Sequence, residues 1–274
     1  MSGVGVRWAA GLCYEGTMPG WAFDLDGVLW RGATPIPGGV AAVRTLQARR
    51  DPVVFVTNFS YSPVAELEGR LDALGIAGRG AVITSAQAAA SLVAPGERAL
   101  VCAGPGVAEA LEQRGATVVH EGAADVVVVG YDPAFDYHRL TVACRAVWGG
   151  ARLVGTNGDT TYPGPEGLLP GGGALVAAVA TATGVEPTIA GKPHAPMVAL
   201  VRDRTGPDGV MVGDRADTDG GFARALGYRF ALVLSGVTSD AAHLDPSPDL
   251  VADDASGILA LVDAEAVPGS RPAR

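Results

Sequence analysis

The chain has 274 residues, 48% of them apolar and 18% charged, and a formal net charge of −9. That balance describes a folded globular protein with ample core and excludes long disorder. It also argues against a nucleic-acid partner, which needs clustered lysine and arginine, because the densest basic spot is only Arg49-Arg50.

Residues 1–17 contain one basic residue, Arg7, and an apolar stretch interrupted by Gly11 and Glu15, so they make a poor signal peptide. They leave both Met1 and Met18 open as the natural start. From there a unit recurs: a short apolar run, a turn, then a segment of helical period. Trp21 to Phe23, Pro52 to Val56, Ala99 to Cys102, Val126 to Val129, Val210 to Val212 and Phe230 to Leu234 read as buried strands. Val64, Leu67, Leu71 and Leu74 mark one amphipathic helix, for which Ser62-Pro63 is the expected N-cap and first turn. Another helix is expected from about Gly173, carrying Leu175, Val176 and Val179 and stopping at Gly184. The uncharged stretch from Gly167 to Val185 is broken by Pro170 and three glycines, and its apolar part is shorter than the ~20 residues of a membrane span. Cys13, Cys102 and Cys144 match no zinc-ligand spacing and suit a reducing cytoplasm. The tail from about Val267 reads as disordered.

Alternating strands and helices predict an α/β protein with mainly parallel sheets. Ala94-Pro95-Gly96 and Gly184 to Pro187 are the nearest candidates for boundaries of an inserted domain. In such sheets functional groups gather beyond the carboxyl ends of the strands. Four groups stand there. Asp24 and Asp26 follow the first strand, with Gly27 permitting a turn. A carboxylate held in line can attack phosphorus, and a second can protonate the departing oxygen, although the pair alone describes turn caps equally well. Thr57-Asn58 ends the next strand and offers uncharged donors to a phosphate oxygen, or an ordinary turn. Lys192 is a lone cation in an apolar stretch, able to offset phosphoryl charge or simply to sit in a solvated loop. Asp214, leaving another strand, and Asp219 beyond it are placed to hold a magnesium ion, or to favour a helix start.

In this order, Asp24-Leu25-Asp26-Gly27-Val28-Leu29, Thr57-Asn58, Gly191-Lys192-Pro193 and Gly213-Asp214-Arg215-Ala216-Asp217-Thr218-Asp219 resemble the four motifs of the haloacid dehalogenase (HAD) superfamily. The likeness runs from Trp21 to about Ser239 and is narrowest with the subclass IIA phosphatases. It implies a Rossmann-like parallel-sheet core, residues 1–95 and 187–274, with an α/β cap inserted at 96–186. It further implies Asp24 as nucleophile, Asp26 as general acid and base, and Thr57, Asn58 and Lys192 around the phosphoryl group. Magnesium would be held by Asp24, Asp214 and the backbone of Asp26, with Asp219 outside them.

The implied substrate is a small phosphorylated metabolite such as glycerol-3-phosphate, phosphoglycolate or p-nitrophenyl phosphate. The implied protein is cytoplasmic, binds no membrane or nucleic acid, and leaves room for a homodimer through the cap. Phe59 and Tyr61 depart from the family pattern, where a second Asn and then an Arg are common, which disfavours phosphoglycolate. Tyr131, Asn157 and Tyr162 are the cap residues expected to face the site. Other readings compete. A phosphotransferase or phosphomutase would use the same chemistry, and a non-catalytic HAD-fold binding protein would keep the groups without turnover. A dinucleotide fold fails because Glu109 stands where the third glycine of the fingerprint belongs, and no Gly-x-Ser-x-Gly elbow occurs.

Overall fold

The computed structural model describes residues 19–164 and 167–266. The expectations for residues 1–17 and for the tail from Val267 lie outside the described residues. In chain order the strands are β1 (Gly20–Phe23), β2 (Trp30–Arg31), β3 (Thr34–Pro35), β4 (Val53–Thr57), β5 (Val82–Thr84), β6 (Arg98–Cys102), β7 (Thr117–Val119), β8 (Val126–Val129), β9 (Arg152–Gly155), β10 (Thr161–Gly164), β11 (Gly167–Pro170), β12 (Thr188–Ile189), β13 (Gly209–Gly213), β14 (Arg229–Val233) and β15 (Leu250–Ala252). The helices are α1 (Pro37–Arg49), α2 (Val64–Ala73), α3 (Ser85–Ala90), α4 (Pro105–Gln113), α5 (Tyr137–Trp148), α6 (Gly172–Thr183), α7 (Ala195–Thr205), α8 (Gly221–Leu226) and α9 (Ala255–Ala266).

Six strands form one wholly parallel, Rossmann-like sheet in the order β15-β14-β13-β1-β4-β5. Successive residues of a strand face opposite sides, and here both sides are buried. Trp21 and Phe23 enter one apolar cluster with Val43 and Leu46 of α1, Leu71 of α2 and Ile258 of α9. Ala22, between them, enters the other with Met197 and Val201 of α7 and Phe222 of α8. This explains why β1, β4 and β13 appear in the sequence as unbroken apolar runs rather than alternating ones.

A second parallel sheet, in the order β12-β9-β8-β6-β7, is built from residues between Arg98 and Ile189. One of its faces, with Val101, Val126 and Val154, belongs to the same cluster as Ala22 and Met197. Its other face, with Leu100, Val127 and Leu153, packs on α5 and α6 through Cys144, Val147 and Val179. Among the described residues no helix is long and apolar enough to cross a membrane.

The start of α2 differs from expectation. Pro63 occupies the cap position itself, Val64 is the first helical residue, and no side chain caps the helix. Proline's fixed φ still sets the entry, but the Ser62 hydroxyl takes no part in it. The helix expected near Gly173 runs from Gly172 to Thr183, and Gly184 ends it at φ +70°.

Candidate active site

Because both sheets are parallel, each delivers its strand ends to one edge, and the two edges meet across a cavity of about 780 Å³. Asp24 follows β1, Asn58 follows β4 and Asp214 follows β13. From the second sheet come Tyr131 after β8, Asn157 and Asp159 after β9, and Lys192 after β12. All of these residues, with Asp26 and Thr57, line the cavity.

The loop after β1 turns at once. Leu25 is buried in the core, and its carbonyl accepts from the Leu29 N–H at 2.9 Å. The turn needs Gly27, which adopts φ +81° and lies so close to the Asp214 carboxylate that a Cβ would collide with it. Asp26 is half-buried, and its Oδ1 accepts a hydrogen bond from Trp30 Nε1 at 2.9 Å. The Arg70 guanidinium of α2 stacks 3.8 Å over the Trp30 ring. Burial raises the Asp26 carboxyl above its ordinary value, against the opposing pull of Arg70, the Trp30 bond and Lys192.

Lys192 is the hub of the site. Its ammonium is buried and spends its three donors on Asp219 Oδ1 (2.7 Å), Asp24 Oδ1 (2.9 Å) and the Val56 carbonyl (3.2 Å). Burial works against its charge, but Asp219 and Asp24 outweigh burial and hold it above the usual lysine range. Asn58 fixes the backbone of this lysine: its Oδ1 accepts from Lys192 N at 2.7 Å, and its Nδ2 donates to Lys192 O at 3.2 Å. The same Nδ2 reaches Asp159 Oδ2 at 3.1 Å. The Asn58 side chain is therefore committed to protein partners.

Asp219 lies on a five-residue π-helical turn, Ala216–Gly220, a feature common at functional sites. Its Oδ2 accepts from the backbone N–H groups of Asp214 and Arg215, both at 3.1 Å. Asp214 Oδ2 accepts from Val237 N at 2.6 Å. Carboxylate oxygens of Asp24, Asp214 and Asp219 all lie within 4.8 Å of one another. Three buried acids face one ammonium, and the carboxyls of Asp24 and Asp214 are both raised. Burial, then Asp219, raises Asp214 to about 6. Asp24 is raised well above its ordinary value, chiefly by burial and further by Asp219 and Asp214, with Lys192 opposing. A hard divalent cation fits this set, because it takes carboxylate oxygens and supplies the missing positive charge.

The structure thus brings six of the seven sequence-derived site residues to the wall of one cavity, and the seventh, Asp219, lies buried behind it on Lys192. Asn157 and the rings of Tyr131 and Tyr162 also line it, and Asn157 Nδ2 donates to the Asn58 carbonyl at 2.8 Å. The motifs did not single out Trp30, Arg70 or Asp159. Asp159, raised by burial against its bond from Asn58, joins the two sides of the cavity across 101 positions of sequence. The one clue to it was its place in Thr156-Asn157-Gly158-Asp159, directly after a strand.

The chain also resembles known proteins in sequence and fold. A haloacid dehalogenase-like hydrolase model matches residues 21–117, and a HAD-hydrolase-like model matches residues 189–258. The chain is 35% identical over 229 residues to the 5'-nucleotidase YutF of Bacillus subtilis, covering 81% of this chain and 89% of that one. It is similar to the solved p-nitrophenyl phosphatase from Archaeoglobus fulgidus, with a TM-score of 0.82, 30% identity and coverage of 89% and 99%. A glycerol phosphate phosphatase from Mycobacterium tuberculosis, solved in complex with magnesium, superposes with a TM-score of 0.80 at 34% identity, covering 88% and 76%.

Proposed function

The chain belongs to the haloacid dehalogenase-like hydrolases, and from that premise we propose that it hydrolyses small phosphomonoesters through a phosphoryl group carried on Asp24. The observation that supports this most is the buried Lys192 bridge between Asp24 and Asp219, which holds one carboxylate still at the end of β1 and offsets its charge.

An Asp24 oxygen attacks phosphorus while the bond to the ester oxygen breaks. Asp26, pushed toward its protonated form and held at Oδ1 by Trp30, gives its proton to the leaving oxygen. It then takes a proton from the water that attacks the phosphoryl-aspartate, releasing phosphate and restoring both acids. Lys192 stays with Asp24 and faces the charge of the transferring group. The Thr57 hydroxyl and the Asn58 backbone N–H bind phosphoryl oxygens, while the Asn58 side chain holds Lys192 in place. Asp24, Asp214 and the Asp26 carbonyl would hold magnesium, which supplies positive charge to the phosphoryl oxygens. Asp219, with both oxygens already engaged, serves Lys192 and the loop of Asp214 instead.

The test is phosphate release from p-nitrophenyl phosphate. It depends on magnesium, stops with EDTA and returns when magnesium is restored. Asp24→Asn keeps the fold and loses turnover by about 10⁴-fold or more; wild-type-like turnover in that variant would sink the mechanism.

A further inference from the structure

The reading above leaves the alcohol half of the substrate unnamed, and the wall of the cavity beyond Asp26 has a composition of its own. Three rings line it, Phe59 after β4, Tyr131 after β8 and Tyr162 on β10, and the ring of Tyr61 packs against Phe59 and Tyr131. Tyr131 and Tyr162 lie 5.4 Å apart between ring centroids, Phe59 and Tyr162 5.6 Å, and Phe59 and Tyr131 6.3 Å. Tyr61 meets Tyr131 edge-on at 5.9 Å. The chain is only 6% aromatic, yet three of its six tyrosines converge on this spot. A core satellite would satisfy its hydroxyls internally, as Tyr228 does with Thr205 and Gly206. Among the described residues no protein group bonds the Tyr131 or Tyr162 hydroxyl, although both residues are half-buried and line the cavity.

The position is set by the chemistry. The leaving oxygen must stand beside Asp26 to receive its proton, and Phe59 and Tyr162 border Asp26 in both the main cavity and a smaller one of about 310 Å³. Whatever is attached to that oxygen passes over these rings. The cations around it are already engaged. Arg215 pairs with Asp217 at 2.8 Å, Arg31 donates to the Ser235 carbonyl, and Arg70 stacks on Trp30 and donates to the Gly32 carbonyl. Beside the rings the cavity also presents Asp159 and Asp26, which disfavours a second anionic group there.

We propose that Phe59, Tyr131 and Tyr162 form a leaving-group subsite for a flat, uncharged aromatic ring, so that the preferred substrate is the phosphate ester of a ring-bearing alcohol. This rests on the phosphatase reading. The rings supply faces for stacking, and the Tyr131 and Tyr162 hydroxyls, which bond no described protein group, supply hydrogen bonds to heteroatoms at the ring's edge.

The experiment compares kcat/KM for substrates with the same kind of leaving alkoxide: 2-phenylethyl phosphate against 2-cyclohexylethyl phosphate, and a nucleoside 5'-monophosphate against ribose 5-phosphate. The aromatic member of each pair is expected to be favoured by about fivefold or more. Phe59→Leu and Tyr162→Leu bring the phenyl-to-cyclohexyl ratio to about one. In the unmodified enzyme, 2-phenylethanol inhibits competitively at a concentration about fivefold lower than 2-cyclohexylethanol. A ratio near one in the wild type, a ratio that survives both substitutions, or equal inhibition by the two alcohols overturns the subsite. Absence of phosphate release from every substrate, p-nitrophenyl phosphate included, would instead overturn the phosphatase reading beneath it.

Discussion

The two sides of the cavity are made by the same device, loops at the carboxyl ends of parallel strands, but they spend their polar atoms differently. Beside Asp24 the polar atoms around Lys192 are committed: Lys192 makes three hydrogen bonds, Asp219 three, and the Asn58 side chain three. On the Tyr131 and Tyr162 side the rings touch one another, and their hydroxyls bond no described protein group. Phosphoryl transfer is the same reaction whatever the alcohol, so its electrostatics reward rigid preorganisation. Choice among alcohols rewards an apolar surface with a few polar edges.

If that contrast holds, damage to the first side is blind to the substrate. Lys192→Met is expected to lower kcat about 10³-fold on aryl and alkyl phosphates alike. It also leaves Asp24 and Asp219 buried without their cation, a loss of about 3 kcal/mol in urea unfolding. A loss confined to one substrate class would break the contrast.

Asp26 is the one residue on that side whose effect should depend on the alcohol. Asp26→Asn is expected to cost about 10²-fold on alkyl phosphates and distinctly less on p-nitrophenyl phosphate, whose leaving group needs little protonation. Equal losses on both would remove its acid role. Trp30→Phe removes only the 2.9 Å bond to Asp26 Oδ1 while keeping a ring beneath Arg70. The expected loss is about tenfold on alkyl phosphates, absent when Asp26 is already Asn. A Trp30→Phe loss that persists in the Asp26→Asn background would mean that the ring acts through packing alone.

The sequence makes the first side of the cavity more legible than the second for a physical reason. Buried parallel strands are unbroken apolar runs, so β1, β4 and β13 stand out, and residues that follow them line the cavity. Short strands such as β5 and β15, three residues each, are too brief to separate from their flanks. Ser62 looked like a helix cap, but local spacing cannot tell that Pro63 would take the position. The Trp30 bond to Asp26 depends on a turn whose closure is invisible in spacing. Asn58 meets Asp159, and Phe59 meets Tyr162, only because separate loops from two sheets arrive at one place. Phe59 and Tyr61 were visible as departures from a pattern, and Tyr131 and Tyr162 as residues expected to face the site, but spacing could not show that these rings meet.

The smallest expected effect tests the other half of the contrast, the charge stored on the Asp24 side. Folding raises the Asp214 carboxyl from an ordinary 3.8 to about 6, so between those values the folded protein holds a proton that the unfolded chain has lost. The stability this contributes is complete below pH 4 and is lost as pH rises through about 6. Asp24 is shifted in the same direction. On the other side the buried Thr156 and Asn157 are neutral, and Asp159, raised by burial, adds to the slope equally in the wild type and in Asp214→Asn. With metal chelated, Tm should therefore fall more steeply between pH 4.5 and 7 in the wild type than in Asp214→Asn, a difference of a few degrees at most. Magnesium binds ionised carboxylates, so it should raise the wild-type Tm more at pH 7 than at pH 5, and barely at all in Asp214→Asn. Parallel Tm curves for the two proteins in EDTA would mean that the acids are not in mutual conflict, and that the need for a cation does not originate in how the chain packs them.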